Sequence, residues 1–111
     1  MYLGGAISPG LRLRLKALNE FTGKLPLIEP EIEANLIGDS TKTAILSGVI
    51  NSAVFEMDGF ITECKRRFSM LKVLLTGGDS IFFDKKLKNS IFAVPDLVLK
   101  GLNEIIDFNV K

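Results

Sequence analysis

Leu46, Ile50, Ala53, Met57, Ile61, Cys64, Phe68 and Leu71 follow one another at steps of three and four residues. That spacing places them on one face of a helix and commits the middle of the chain to a long amphipathic element. Asp39 and Ser40 offer N-caps, and acids lead while bases trail, the order that the helix dipole favours. A helix from Ser40 to Phe68 would be about 43 Å long at 1.5 Å per residue. Gly48 and Gly59 each weaken it by about 1 kcal/mol relative to alanine, so a break near Asp58-Gly59 is allowed. The one short basic run, Lys65-Arg66-Arg67, falls at the C-terminal end, where it complements the dipole.

Shorter elements flank this helix. Tyr2-Leu3 reads as the tail of a strand that Gly4-Gly5 terminates. Ser8 is a candidate N-cap with Pro9 at the first helical position, where its missing N–H costs nothing. Leu11, Leu13 and Leu15 alternate with Arg12, Arg14 and Lys16 at strand period, yet Leu11, Leu15, Leu18 and Phe21 keep helical spacing. With the cap just upstream, a helix from Ser8 to about Phe21 is expected. Leu25 to Ile28 is a short extended piece, and an acidic loop carrying Glu29, Glu31 and Glu33 follows it.

Beyond the long helix, Lys72 to Thr76 is a nearly all-apolar strand of the kind buried on both faces. Gly77-Gly78 ends it, and Asp79 or Ser80 caps a helix through about Leu87. Ile91 to Val94 is a further strand, and Pro95 opens a last helix with Leu97, Val98, Leu102, Ile105, Ile106 and Phe108 on its apolar face. Strands alternating with helices give an α/β fold. The few short strands leave several apolar helix faces without sheet to cover them, so the chain is expected to be a fragment of a larger domain.

A chain of 111 residues has room for one domain. Its net charge is +1 with acids and bases interspersed, which gives no electrostatic case for nucleic acid or an anionic membrane. Histidine is absent and Cys64 is the single cysteine, which removes Ser-His-Asp and Cys-His catalysis and every common zinc site. Cys64 lies in the apolar stripe as a small core residue, and an unpaired thiol fits a reducing compartment. No stretch approaches about 18 uninterrupted apolar residues, and the first residues do not resemble a signal peptide. A cytoplasmic protein with no membrane partner is expected.

Three places could meet a ligand. Gly4-Gly5 and Gly77-Gly78 each stand between an apolar strand and a helix start. Glycine there lets the backbone approach an anionic group that the helix N-terminus faces, or it serves a tight turn needing positive φ. Neither pair completes a Walker A sequence or a Gly-x-Gly-x-x-Gly. Gly38-Asp39-Ser40-Thr41 is the third place, where hydroxyls and amides at a helix start could hold a carboxylate or phosphate, although ordinary N-capping is the favoured role.

Taken in order, "GGAISPG", "GDSTKTAILSG", "MDGFI", "LTGGDS" and "PDLVLKGLNEIIDFN" resemble the C-terminal half of type III pantothenate kinases. The resemblance covers essentially the whole chain, and the ordered set is far more specific than any one motif. It implies a ribonuclease H-like half-domain of the actin, Hsp70 and sugar-kinase type, incomplete at its N-terminal strands. It also implies ATP-dependent phosphorylation of pantothenate at the start of coenzyme A synthesis, with Mg2+ and a monovalent cation (K+ or NH4+). By the family pattern Thr41 would hydrogen-bond pantothenate in a pocket completed by a partner subunit of a homodimer. Gly77 and Gly78 would line the adenosine side, Gly4 and Gly5 would lie at the cleft beside the phosphoryl path, and the long helix would build much of the dimer contact.

Ser52 departs from the family, which often has a second glycine there. The family's Asp-x-Gly-Asn phosphate turn, its Gly-Ala-Asp-Arg stretch with the catalytic aspartate and its Asp-x-Gly-Thr element all precede Gly-Gly-x-Ile, and none is in this sequence. Asp39, Asp58, Asp79 and Asp84 are the candidate bases, and none occupies the family's catalytic place, so no catalytic or metal-binding residue is expected here. The sequence is expected to enter after the catalytic machinery and to be inactive alone. A transcriptional accessory protein of the same fold and a stand-alone nucleotide-binding domain are the competing hypotheses.

Overall fold

Helix dominates residues 4–93, which a computed structural model describes. In chain order come α1 (Leu11–Thr22), α2 (Thr41–Leu46), a π-helical segment (Ser47–Asn51), α3 (Ser52–Arg67), β1 (Leu74–Leu75), a 3-10 turn (Gly78–Phe82) and β2 (Phe92–Ala93). The chain forms two compact units, Met1–Ala53 and Val54–Lys111, divided just inside the start of α3. The strand expected at Tyr2-Leu3 and the helix expected after Pro95 lie outside the described residues.

In the first unit, the strand-like alternation after Pro9 yields to helical spacing. Leu11 and Leu15 are 1% and 2% exposed, and α1 packs them toward the π segment, where Val49 and Ile50 are buried. Leu13, on the opposite face, is mostly exposed. The start expected at Ser8 is two residues early, because Gly10 is the N-cap. Arg14 takes over the upstream groups, its Nη2 donating to Ser8 Oγ at 2.9 Å and its Nε to the Pro9 carbonyl at 2.7 Å. Gly23, at φ 73°, stops α1 in the left-handed conformation that glycine adopts without strain. Phe21, expected on the buried face, is 85% exposed.

The expected long helix forms as one helical run, Thr41–Arg67, with no break at Asp58-Gly59. Its departure from expectation is the π segment, whose wider turn adds a residue to the helical repeat. Pairs of neighbours (Ile45 and Leu46, Val49 and Ile50) are therefore buried together on the first unit's side of the run. Beyond Ala53 the expected stripe fades: Met57, Ile61 and Cys64 are half-buried, while Phe68 is exposed. By length and composition alone this run could cross a membrane, a test that the core helix of a water-soluble domain also passes.

The second unit holds the only sheet among the described residues, a parallel pairing of Leu74 with Phe92 and Leu75 with Ala93. A parallel connection needs a crossover, and the chain supplies it through the 3-10 turn. The helix expected from Asp79 or Ser80 to Leu87 is thus shortened to Gly78–Phe82. Both strands are shorter than expected, and Leu74 is 53% exposed instead of buried on both faces. Strand length depends on what pairs beside it, and β1 has a single pairing partner among the described residues. Helix and parallel strand pairing are consistent with part of an α/β domain.

Candidate functional site

The start of α2 is the most heavily determined loop-to-helix junction in the first unit. Ser40 is the N-cap: its Oγ accepts from the Thr43 N–H at 3.1 Å. Thr43 closes the capping box, its Oγ1 accepting from the N–H groups of Ser40 and Asp39, each at 2.9 Å. Asp39, a candidate base in the sequence, accepts from the Thr43 hydroxyl at 3.1 Å. Ordinary capping therefore accounts for Asp39, Ser40 and Thr43.

Thr41 is different. It occupies the first helical position and takes no part in the capping network. It is exposed at the lip of a shallow groove of about 400 Å³, lined also by Leu18, Leu25, Ala44, Ile45 and Gly48. One hydroxyl at a helix start beside an apolar floor suits a ligand with a polar end and an aliphatic body. Nothing lies within 4 Å of where a Gly48 side chain would begin, so this glycine leaves the groove open.

Gly38, already part of the third candidate place, holds the junction together with two residues that the sequence did not single out, Ser47 and Asn51. A Cβ on Gly38 would meet the Ala44 backbone nitrogen at 2.3 Å, so only glycine lets this loop lie against the first turn. Ser47, buried at 8% exposure, donates its hydroxyl to the Leu36 carbonyl. Asn51, one turn further, places Nδ2 at 3.2 Å from the carbonyls of Ala34 and Asn35 and from Ser47 Oγ. Gly38 and Ser47 both stand inside the "GDSTKTAILSG" motif, which was the available signal; Asn51 was signalled only by its i+4 spacing from Ser47.

The glycine pairs divide by role. Gly77 has φ 107°, a conformation that L side chains rarely adopt, so the turn explains it. Gly78 has an ordinary backbone and open space where a Cβ would sit, so neither turn geometry nor packing within the described chain explains it. Gly4, at φ 119°, and Gly5 are exposed in the irregular segment before α1 and do not line the groove. Thr41 belongs to the first unit and Gly77-Gly78 to the second.

The remaining acids have structural partners or surroundings. The Asp58 carboxylate accepts from the N–H of Lys88 at 3.0 Å, the N–H of Asn89 at 3.2 Å and the Asn89 side-chain amide at 3.0 Å. Burial pushes its pKa up, but the Lys88 N–H, the Asn89 amide and N–H, and the Lys88 charge together outweigh that and hold it below the ordinary carboxylate range. Asp79 and Asp84 are half-buried in and just after the 3-10 turn. Glu63, bonded first to Arg66 and then to Arg67, also sits below its ordinary range, which ties the basic run to its own helix. Among the described residues no three His, Cys, Asp or Glu side chains gather as a metal site.

The sequence profile of type III pantothenate kinases matches residues 1–63, more than half of the chain. The chain belongs to the type III pantothenate kinase family. It is 54% identical over 110 residues to the type III pantothenate kinase of Phocaeicola vulgatus, covering 99% of this chain and 46% of that protein. It is 50% identical over 109 residues to that of Christiangramia forsetii, covering 98% and 45%. To that of Cytophaga hutchinsonii it is 47% identical over 110 residues, covering 99% and 47%. The chain thus spans about half the length of the curated relatives that it matches, and the family expected from the motifs is the family found.

Proposed function

We propose that this chain serves an ATP-dependent pantothenate kinase, supplying the part that receives pantothenate and faces the adenosine of ATP. The observation that carries this is Thr41: in a family motif, at the first helical position, outside the cap network and on the groove. Its hydroxyl would hydrogen-bond the polar end of pantothenate while Ile45 and the open face at Gly48 receive the aliphatic part. The kinase name carried by its relatives favours this over a transcriptional accessory role or a stand-alone nucleotide-binding domain.

ATP supplies the phosphoryl group. The open space at Gly78 is compatible with close approach of the nucleotide's adenosine side, whereas Gly77 serves the turn beside it. Gly4 and Gly5 belong, in the same proposal, to the cleft near the phosphoryl path. Positioning and charge stabilisation dominate phosphoryl transfer, and the family's catalytic aspartate lies in a motif that this sequence does not contain. No ligand here is assigned to Mg2+ or to the monovalent cation. A homodimer that completes the pantothenate pocket, built around the long helix, and a cytoplasmic location complete the proposal.

The test is pantothenate-dependent ADP formation by the protein that carries this chain together with the remaining half of its relatives' length. Formation of phosphopantothenate with one ADP per turn is expected. ATP hydrolysis indifferent to pantothenate, or none at all, would overturn the proposal.

A further inference from the structure

We propose that Ser47 and Asn51 are positioning residues for the substrate-binding hydroxyl of Thr41, acting through the loop that leads into α2; this rests on Thr41 meeting pantothenate as proposed above. The two side chains lie one turn apart on the π segment and form a relay. Asn51 donates toward Ser47 Oγ at 3.2 Å, and the Ser47 hydroxyl donates onward to the Leu36 carbonyl. The same Asn51 amide reaches the carbonyls of Ala34 and Asn35, each at 3.2 Å. Consecutive carbonyls of a loop without regular structure are thus held by side chains of the helix that follows it.

Downstream the loop has no slack. Gly38 lies hard against the backbone of Thr43 and Ala44, and Asp39 and Ser40 are fixed by Thr43 Oγ1. The segment from Ala34 to Ser40 is therefore pinned at both ends, by the π segment and by the first turn of α2. Thr41 is the residue that follows directly. Capping alone would secure Ser40 but would leave residues 34–37, and with them the chain entering Thr41, free to swing. A π segment inside a helix is a costly irregularity often found at functional sites, and here it carries both members of the relay.

Asn51→Ala in the full-length enzyme is the first test, read by steady-state kinetics and by hydrogen exchange at the Leu36–Thr43 amides. Loosening the loop should raise the pantothenate KM about 5- to 10-fold, with the ATP KM and kcat unchanged. Exchange at those amides should accelerate, and Ser47→Ala should do the same. Asn51→Gln, which keeps the amide donors, should recover part of the pantothenate KM. Equal rises in both KM values with a lowered melting temperature would reduce Asn51 to a stability residue and overturn the proposal, as would unchanged kinetics and exchange. If the unsubstituted protein binds no pantothenate, the substrate assignment fails, and the loop clamp is then judged by exchange alone: faster exchange in Asn51→Ala sustains it, and unchanged exchange ends it.

Discussion

Thr41 and Thr43 are two residues apart in one motif and have opposite fates. Thr43 spends its hydroxyl on the backbone of Asp39 and Ser40, whereas Thr41 keeps its own outside that network. Losing a hydrogen bond to a charged ligand group costs about 1.5–3 kcal/mol. Thr41→Val should therefore raise the pantothenate KM by roughly 10- to 150-fold and leave the ATP KM nearly alone. An unchanged pantothenate KM would remove Thr41 from the site. The neighbouring glycines Gly77 and Gly78 separate in the same way. Gly77→Ala forces a side chain onto φ 107° and should lower stability by about 1–3 kcal/mol, read as a fall in Tm. Gly78→Val meets open space in the chain, so Tm should move less while the ATP KM rises far more than the pantothenate KM. Ser40 as a cap was legible because side-chain caps are local chemistry. The difference between Gly77 and Gly78 was not, because a Gly-Gly pair does not say which member carries the positive φ.

At the scale of elements, the joint between α3 and the segment before β2 rests on Asp58. Its folded-state pKa lies below the ordinary value, so its stabilising contribution is present in full above the unfolded value and is lost as pH falls through the folded one. The site is largely solvated, which discounts the charged hydrogen bonds to a net of about 1 kcal/mol. Asp58→Asn should lower Tm at neutral pH, and its gap from the unsubstituted protein should close as pH falls below 3.8, the ordinary carboxylate value. A gap independent of pH would mean that shape and not charge holds Lys88 and Asn89. The long helix and its direction were readable because apolar spacing, N-cap and trailing bases all agreed. Its π segment was not readable, since the same residues suit an α-helix and the extra residue is fixed by Ser47 and Asn51 reaching the loop at 34–36. The start of α1 was misplaced because Ser8 Oγ accepts from Arg14 Nη2, a partner that local pattern does not reveal. The strands were overestimated because residues 72–76 carry the composition of a strand but not the neighbours that set its length.

For the whole molecule, family membership came from ordered motifs and not from the fold, since two short strands are too little sheet to define an architecture. The chain corresponds to about 46% of the length of its Phocaeicola vulgatus relative. Phosphoryl transfer needs groups that grip the phosphates together with a carboxylate that orients the acceptor hydroxyl. The 111-residue chain by itself should therefore show no pantothenate-dependent ATP turnover above background in a coupled assay. Turnover by the pure chain would show that its own acids suffice and would undo the division of labour proposed here.

Cys64, half-buried on α3 near its C-terminal end and the single thiol in this chain, gives the chain a built-in clock. A thiol reagent modifies it at a rate that rises with the fraction of time the surrounding turns are open. Because no other sulfhydryl within these 111 residues competes, each modification event in this chain reports on one place. The last turns of α3 carry Thr62 and Lys65, both bonded to Asn89, so cutting that attachment should quicken the clock. Asn89→Ala should speed labelling of Cys64 several-fold under native conditions, and an identical labelling rate would show that α3 keeps its end closed without help.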